Sequence, residues 1–508
     1  MQHEKLTQEA VAQRVSSAEL VSVRGEITDR NGTPFTNRSE GEFAVYVDGA
    51  DIEEGADAIA EQLGLSKEYV IHQIKNRTRL SFGPLNNLYP VERAGFLTLR
   101  APLRQDENSV ARHLIGTIDA QGVGNGGLEA AFESILNTGR KQSVISLRDV
   151  QKGLLGGRGY LEANRQVDDS YHLRLTLDYE LQKELEVLAE KKLSKGCILV
   201  SDVETGDVLA LVSRPQFDPN NLSASLNSTN GEFLNRALHG YNAGSVFKIV
   251  VAAAALEYGI TVRDFCCNGV YQVADRTLSC YDYTAHGTVD LDEAFAQSCN
   301  GYFVRLAEKI GMERLLSMAK RLGMTERATN LEQESRSILP DVTPALPGRL
   351  ANLAIGQGEL LTTPTAIHRL VDTVVHDGIQ RTLNITDGVV DGQGLLVQSL
   401  RQTVEKRVLS GHTAQRLRQM MIKTVTEGTG KRAGNDEVQT AGKTGTAETG
   451  WIEDGELQVH AWFCGFLPTE EPRYCVTVFM ENGQSGGTYA APLFLEVSKI
   501  LLNFFEKK

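Results

Sequence analysis

Ser245 and Lys248 are the first residues whose types and spacing could do chemistry. They stand three apart at the head of Tyr241–Gly259. In that stretch polar turn residues lead to Gly244, an almost wholly apolar run spans Val246 to Leu256, and Gly259 marks a stop. The pattern predicts a helix that begins at Ser245 and is buried nearly all round. Residues three apart share one face of the first turn, so the hydroxyl and the amine project together. An unpaired buried ammonium is costly, and a dry site favours the neutral amine. A neutral amine beside a serine hydroxyl is a general base beside a nucleophile. The competing reading is a helix cap with a snorkelling lysine. Spacing alone does not decide, because Ser317 and Lys320 repeat it; there Arg314 and Arg321 mark a solvated helix face.

Two more short patterns follow in order, Ser298-Cys-Asn300 and Lys443-Thr-Gly445. Ser-x-Asn is common, and Ser225-Leu-Asn227 and Ser228-Thr-Asn230 also fit; Lys-Thr-Gly occurs once. Taken singly, Ser298 reads as a polar turn between helices and Lys443–Thr446 as a strand entering a turn. Taken in order, the three supply what an acyl transfer needs. Ser245 is the nucleophile and Lys248 the base. Ser298 gives a proton to the leaving amine, and Asn300 holds the substrate amide. Lys443 is a cation for a substrate carboxylate and keeps Lys248 neutral by like-charge repulsion. Thr444, Gly445 and Thr446 complete the substrate-binding set. The N–H groups of Ser245 and Thr446 form the expected oxyanion hole, and Gly445 lets substrate lie close along the strand.

These residues need a scaffold. A chain of 508 residues can hold two to four domains with sizeable cores. The net charge of −13, with no basic stripe carrying interleaved aromatics, argues against nucleic acid as a partner. No apolar run approaches the ~18 residues of a membrane span, and the charged start at Met1 is not a signal peptide. Residues 1–22 read as a polar, partly helical lead-in. Asn31-Gly32 signals a hairpin turn. Helical patterns cover Asp57–Leu65, Lys67–Lys75, Leu128–Leu136 and Gln182–Lys195. Cys197–Val203 and Val208–Val212 flank the turn Glu204-Thr-Gly-Asp207 as a hairpin. His460–Leu467 and Tyr474–Met480 read as apolar strands, and a last amphipathic helix covers Pro492–Phe505. Strands, a helical middle, further strands and a closing helix predict an α+β fold with helices packed on an antiparallel sheet. Residues 122–127 fit Gly-x-Gly-x-x-Gly, but no βαβ unit surrounds them, so they read as a structural turn. The polar stretch at 165–171 is a plausible domain joint.

From about Arg24 to its end the chain resembles class B penicillin-binding proteins, the monofunctional peptidoglycan transpeptidases. Arg24-Gly-Glu-Ile-Thr-Asp-Arg-Asn-Gly32 is similar to the opening motif of that family. His113-Leu-Ile-Gly116 and Gly127-Leu-Glu129 are similar to its linker-domain motifs. Thr205-Gly-Asp-Val-Leu-Ala210, Pro215–Asn220, Asn235-Arg-Ala237, Ala354-Ile-Gly-Gln-Gly358 with Thr363-Pro364, and Gly428-Thr-Gly430 are similar to its catalytic-domain landmarks. Ala243 departs from the usual proline. The resemblance implies a lead-in over 1–23, an elongated pedestal over 24–169, and a serine β-lactamase-like transpeptidase domain over 170–508 with a five-stranded antiparallel sheet between helices. It implies D-alanyl-D-alanine transpeptidation on peptidoglycan stem peptides, covalent inhibition by β-lactam antibiotics and a membrane glycosyltransferase as partner. It also implies a place on the outer face of the cytoplasmic membrane, behind a single N-terminal anchor expected upstream of Met1. The alternatives are a serine β-lactamase or β-lactam sensor, which would not need the pedestal, and an inactive scaffold, which would not need the intact catalytic set.

Seven cysteines, scattered and odd in number, do not form a disulfide framework. Cys267, Cys280 and His286 nevertheless stand close in sequence, in the loop-rich stretch leading to Ser298. Asp282 lies two residues after Cys280, on the same side of an extended segment. Together they are a credible tetrahedral zinc set, structural in role because the chemistry itself needs no cofactor. Cys266 would face away from Cys267. A Cys267–Cys280 disulfide and plain buried thiols remain open at this point.

Overall fold

The computed structural model describes residues 15–506 except 48, 77–79, 120–121, 148–159, 164–169, 220, 275, 344–345 and 454. Most of the 165–171 stretch, and the first fourteen residues of the lead-in, lie outside the described residues. Residues 15–24 are not helical. They form a strand, Val15–Arg24, paired antiparallel with Asn137–Leu147.

Five strands build the central sheet: β1 (Gly196–Asp202), β2 (Val208–Arg214), β3 (Ala441–Glu453), β4 (Glu456–Leu467) and β5 (Tyr474–Met480). Their order is β2-β1-β5-β4-β3, and every neighbouring pair is antiparallel. Both faces of the sheet are covered, which is why β1 and β4 read as continuous apolar runs rather than alternating ones. Alternation is still present in where the side chains go. Cys197, Leu199, Trp462, Cys464, Phe466 and Phe479 point into one core, with the apolar residues Ile249–Ala255. Ile198, Val200, Phe463, Val476 and Val478 point into the other, with Leu181, Leu185, Phe494 and Val497.

Seven helices matter for the site: α1 (Tyr179–Lys192), α2 (Lys248–Tyr258), α3 (Leu291–Ala296), α4 (Asn300–Ile310), α5 (Pro364–Val375), α6 (Gly411–Thr426) and α7 (Ala491–Glu506). The serine helix differs from expectation in its first turn. Gly244–Phe247 is a 3₁₀ turn, and the α-helix proper starts at Lys248. Residues Lys248 to Ala255 are buried on every side, and Gly259 ends the helix in the left-handed conformation with φ 64°. Ser317 and Lys320 are exposed on their own helix, as the flanking arginines predicted. The predicted helix Leu128–Leu136 is split at Phe132 into Gly127–Ala131 and Glu133–Leu136.

Motifs far apart in sequence meet in the N-terminal part. Arg24 is buried and donates to Glu129 Oε2 from Nη2 at 2.7 Å, while Arg104 Nε reaches Glu129 Oε1 at 2.5 Å. The glycine loop 122–127 serves this pair: the Gly122 carbonyl accepts from Arg24 at 2.7 Å, and Gly124 N–H donates to Glu133 at 2.8 Å. These loop groups are bound to the chain itself, in keeping with a structural turn. Asp29 then links the opening motif to α1, accepting from the N–H groups of Asn31, Thr33 and Tyr179.

Candidate active site

Three segments converge on one cleft of about 890 Å³ whose walls include Ser245, Ser298, Asn300, Thr444 and Thr446. Each segment is placed by local chemistry. The turn bearing Ser245 packs flat on β3, and glycine makes that possible. Gly244 has φ 56°, and a Cβ there would lie 2.5 Å from the Thr446 carbonyl oxygen. A Cβ on Gly445 would meet Val246 and Trp462 at 2.9 Å. Gly445 is therefore required by the Ser245 turn packing on the strand, a physical reason different from room for substrate.

Ser298 sits between α3 and α4. Asp290 and Glu293 form a capping box at the start of α3. The chain leaves α3 through Ser298, which holds φ 57°, a left-handed conformation that costs a non-glycine residue about 1–3 kcal/mol and is held by its surroundings. Cys299 then caps α4, whose first residue is Asn300.

The side chains of Lys248, Ser298, Asn300 and Lys443 form one network, and Ser245 stands in the cleft wall outside it. Lys248 Nζ lies 2.7 Å from the Ser298 carbonyl, 2.7 Å from Asn300 Oδ1 and 3.1 Å from Ser298 Oγ. Lys443 Nζ lies 3.1 Å from the same Ser298 Oγ and 3.0 Å from the Thr444 carbonyl. Both lysines are fully buried. Their walls include the Phe303 ring at 5.5 Å from Lys248 and the Phe295 ring at 5.6 Å from Lys443. Burial pulls Lys248 down to about 8. Lys443 is also lowered well below its ordinary value, by burial and then by the charge of Lys248. Two buried amines a few ångströms apart do not both stay charged, so one of them is available as a base.

Thr429 was missed as a site residue. It lies in the Gly428-Thr-Gly430 landmark, and its hydroxyl is 2.5 Å from that of Thr444. Gln357, in the Ala354–Gly358 landmark, also lines the cleft. A motif can mark such positions, but only the fold shows what they touch.

The cysteine cluster differs from expectation in one ligand. Cys267, Cys280, His286 and Cys299 come together, with all four donor atoms within 4.8 Å of one another. Asp282 is not among them. The segment is not extended there: Tyr281–Tyr283 is a 3₁₀ turn with Asp282 at φ 50°, and its side chain faces solvent. Cys299, one residue past Ser298, takes the fourth place. Cys266 is exposed and Cys267 buried, so the strand alternation argument holds for that pair. All seven cysteines are free. Cys267 and Cys280 sulfurs are 3.7 Å apart, too far for a disulfide, and Cys280 and Cys299 are 3.9 Å apart. With Zn–S bonds of about 2.3 Å, a tetrahedron has S···S edges of about 3.8 Å. The donor set therefore fits zinc.

Among the described residues no helix is long and apolar enough to cross a membrane. The family described as penicillin binding protein transpeptidase domain matches residues 196–499. The chain is 29% identical to stage V sporulation protein D of Bacillus subtilis, over 92% of this chain and 76% of that one. It is 28% identical to the peptidoglycan D,D-transpeptidase MrdA of Acinetobacter baumannii, over 72% of this chain and 59% of that one. A solved structure described as a peptidoglycan synthase complex coordinating polymerization and crosslinking superposes with a TM-score of 0.70 at 25% identity, covering 98% of this chain and 93% of that one.

Proposed function

The chain belongs to the penicillin-binding protein transpeptidases, and from that premise we infer that it cross-links peptidoglycan through a serine acyl-enzyme. One observation carries the assignment of roles: a single hydroxyl, Ser298 Oγ, stands 3.1 Å from each of two buried amines. That arrangement suits a proton relay. Lys248, neutral, takes the proton of Ser245 as Ser245 attacks the penultimate carbonyl of a D-alanyl-D-alanine stem. The oxyanion forms against the N–H groups of Ser245 and Thr446. Ser298 passes a proton to the departing D-alanine amine. Asn300 holds the substrate amide, and Lys443 with Thr444 receives the terminal carboxylate, which places the remaining positive charge on Lys443. An amine of a neighbouring stem then takes the acyl group by the reverse route.

The residues from about 24 to 169 act as a pedestal, and those from about 170 onward as the catalytic domain. The enzyme works on the outer face of the cytoplasmic membrane beside a glycosyltransferase that makes the glycan strands. A fluorescent penicillin separates this from a β-lactamase. We expect a one-to-one acyl-enzyme that persists for many minutes. Release of hydrolysed penicillin within seconds would overturn the transpeptidase reading in favour of the lactamase.

Cys267, Cys280, His286 and Cys299 would hold one structural zinc, closed to substrate because all four positions are protein ligands. Cys299 lies between Ser298 and Asn300, and Asn300 Nδ2 donates to the carbonyl of Ser279, beside Cys280, at 2.7 Å. The metal would thus pin the loop that presents both active-site residues. Elemental analysis of protein purified without added metal should find about one equivalent of zinc, and a chelator should lower both the melting temperature and the acylation rate. A zinc content below about a tenth of an equivalent rules the metal out.

A further inference from the structure

Among the described residues β3 is an edge strand of the sheet, so one row of its backbone groups has no strand partner there. In an antiparallel pair those outward groups come from every second residue. Gln357 shows which residues they are. Its side-chain amide lies 2.9 Å from both the Glu448 N–H and the Glu448 carbonyl. Because the N–H must find an acceptor and the carbonyl a donor, we assign the amide oxygen to the former and the nitrogen to the latter, which makes two hydrogen bonds. Glu448 therefore faces outward. The pairing of β3 with β4 runs without a register shift from Ala441 to Glu448, so Thr446 and Thr444 face outward too. The contact from Lys443 Nζ to the Thr444 carbonyl agrees with this.

A residue of an added antiparallel strand would meet Glu448 in the same way, giving one N–H and taking one. The Gln357 amide reproduces that pair. Its position is rigid. Gly244 N–H donates to the Gly356 carbonyl at 2.8 Å. A Cβ on Gly356, which has φ 72°, would lie 1.9 Å from the Gly244 oxygen. The turn carrying Gln357 is thus locked to the turn carrying Ser245.

We propose that Gln357 is a specificity-determining residue that fills the strand-pairing position at Glu448, so that a donor peptide adds to β3 through Thr446 and then leaves the edge. The proposal rests on the acyl-transfer reading above. A donor with its carboxylate toward Lys443 and its scissile carbonyl at Ser245 runs antiparallel to β3. Its residue two places upstream comes level with Glu448, about 7 Å further along. With Gln357 in place, the enzyme recognises the backbone of the donor's C-terminal end and no further. Donors are then told apart upstream by side chains, not by strand pairing.

Three thioester donors test this on the intact protein: an N-acyl-D-alanyl thioester, the same donor extended by two α-linked residues, and the extended donor N-methylated at the amide that would meet the Glu448 carbonyl. In the wild type, kcat/KM should be alike for the short and extended donors, and N-methylation should change it by less than about twofold. In Gln357→Ala the ratio of extended to short should rise about fivefold or more, the worth of one or two hydrogen bonds, and N-methylation should cancel the rise. A ratio unchanged in Gln357→Ala, whatever the absolute rates, overturns the proposal, because a residue that merely supports its turn would affect all donors equally. A loss above about fivefold on N-methylation in the wild type also overturns it. That arm needs no substitution. Acylation of the wild type by the short donor, traced to Ser245 by mass, reports on the acyl-transfer reading separately.

Discussion

Ser245→Ala should gain no mass on treatment with penicillin, while the wild type should gain the mass of one. On the proposed mechanism the strained β-lactam amide presents the carbonyl that Ser245 would attack, in the same cleft of about 890 Å³. Removing the nucleophile of a serine acyl-transfer site costs about a million-fold in turnover, because the remaining groups have nothing to activate. The substitution removes one oxygen from a half-buried side chain in a 3₁₀ turn. The fold should therefore persist, and an unchanged melting temperature would separate lost chemistry from lost structure. Intact-protein mass spectrometry is the measurement. A penicillin adduct on Ser245→Ala would move the nucleophile elsewhere, with Ser298 the next hydroxyl in the cleft.

Four strands of the sheet are legible because they are apolar on both faces and bounded by turns; β3 carries Lys443, Thr444, Thr446 and Glu448, and only its Lys443–Thr446 stretch reads as a strand. Glu204-Thr-Gly-Asp207 joins β1 to β2, as the hairpin pattern predicts, and a turn through Pro468–Pro472 joins β4 to β5. The serine helix was legible from its unbroken apolar run. Its first turn was not, because the 3₁₀ geometry of Gly244–Phe247 comes from the contact between Gly244 and Thr446, two hundred residues away in sequence. The same limit applies to Gly445. A lone glycine in a strand signals a close approach, but not whether substrate or Val246 makes it.

The metal set shows how far local geometry carries. Spacing brings out Cys267, Cys280 and His286, and strand alternation excludes Cys266. Asp282 was included on the same alternation argument, which fails where the backbone turns: φ is 50° at Asp282. Cys299 was missed because its place in the cluster depends on α4 starting where it does, with Cys299 as the cap. The sequence signal existed, since Cys299 is the last of four cysteines within Cys266–Cys299, but it was spoken for by its catalytic neighbours.

Lys248→Arg should abolish acylation, and Lys443→Arg should not. Both ammonium groups are buried and both touch Ser298 Oγ, so position alone does not separate them. Chemistry does. A guanidinium stays protonated throughout the working pH range and cannot accept the Ser245 proton. At position 443 the demand is for a cation facing a carboxylate, which arginine meets in a different geometry; acylation should survive within about a hundredfold, the range spanned by one charge-assisted hydrogen bond. The pH profile gives a second readout. Burial holds Lys248 at about 8. The neutral amine is the active form, so kcat/KM for acylation should rise with pH and level off above about 8. At pH 6 it should stand at about one per cent of the plateau. Lys443→Arg should keep that limb, displaced downward, because an arginine at 443 stays charged and holds Lys248 neutral to lower pH. Equal loss in both variants, or a limb that vanishes in Lys443→Arg, would transfer the role of base to Lys443.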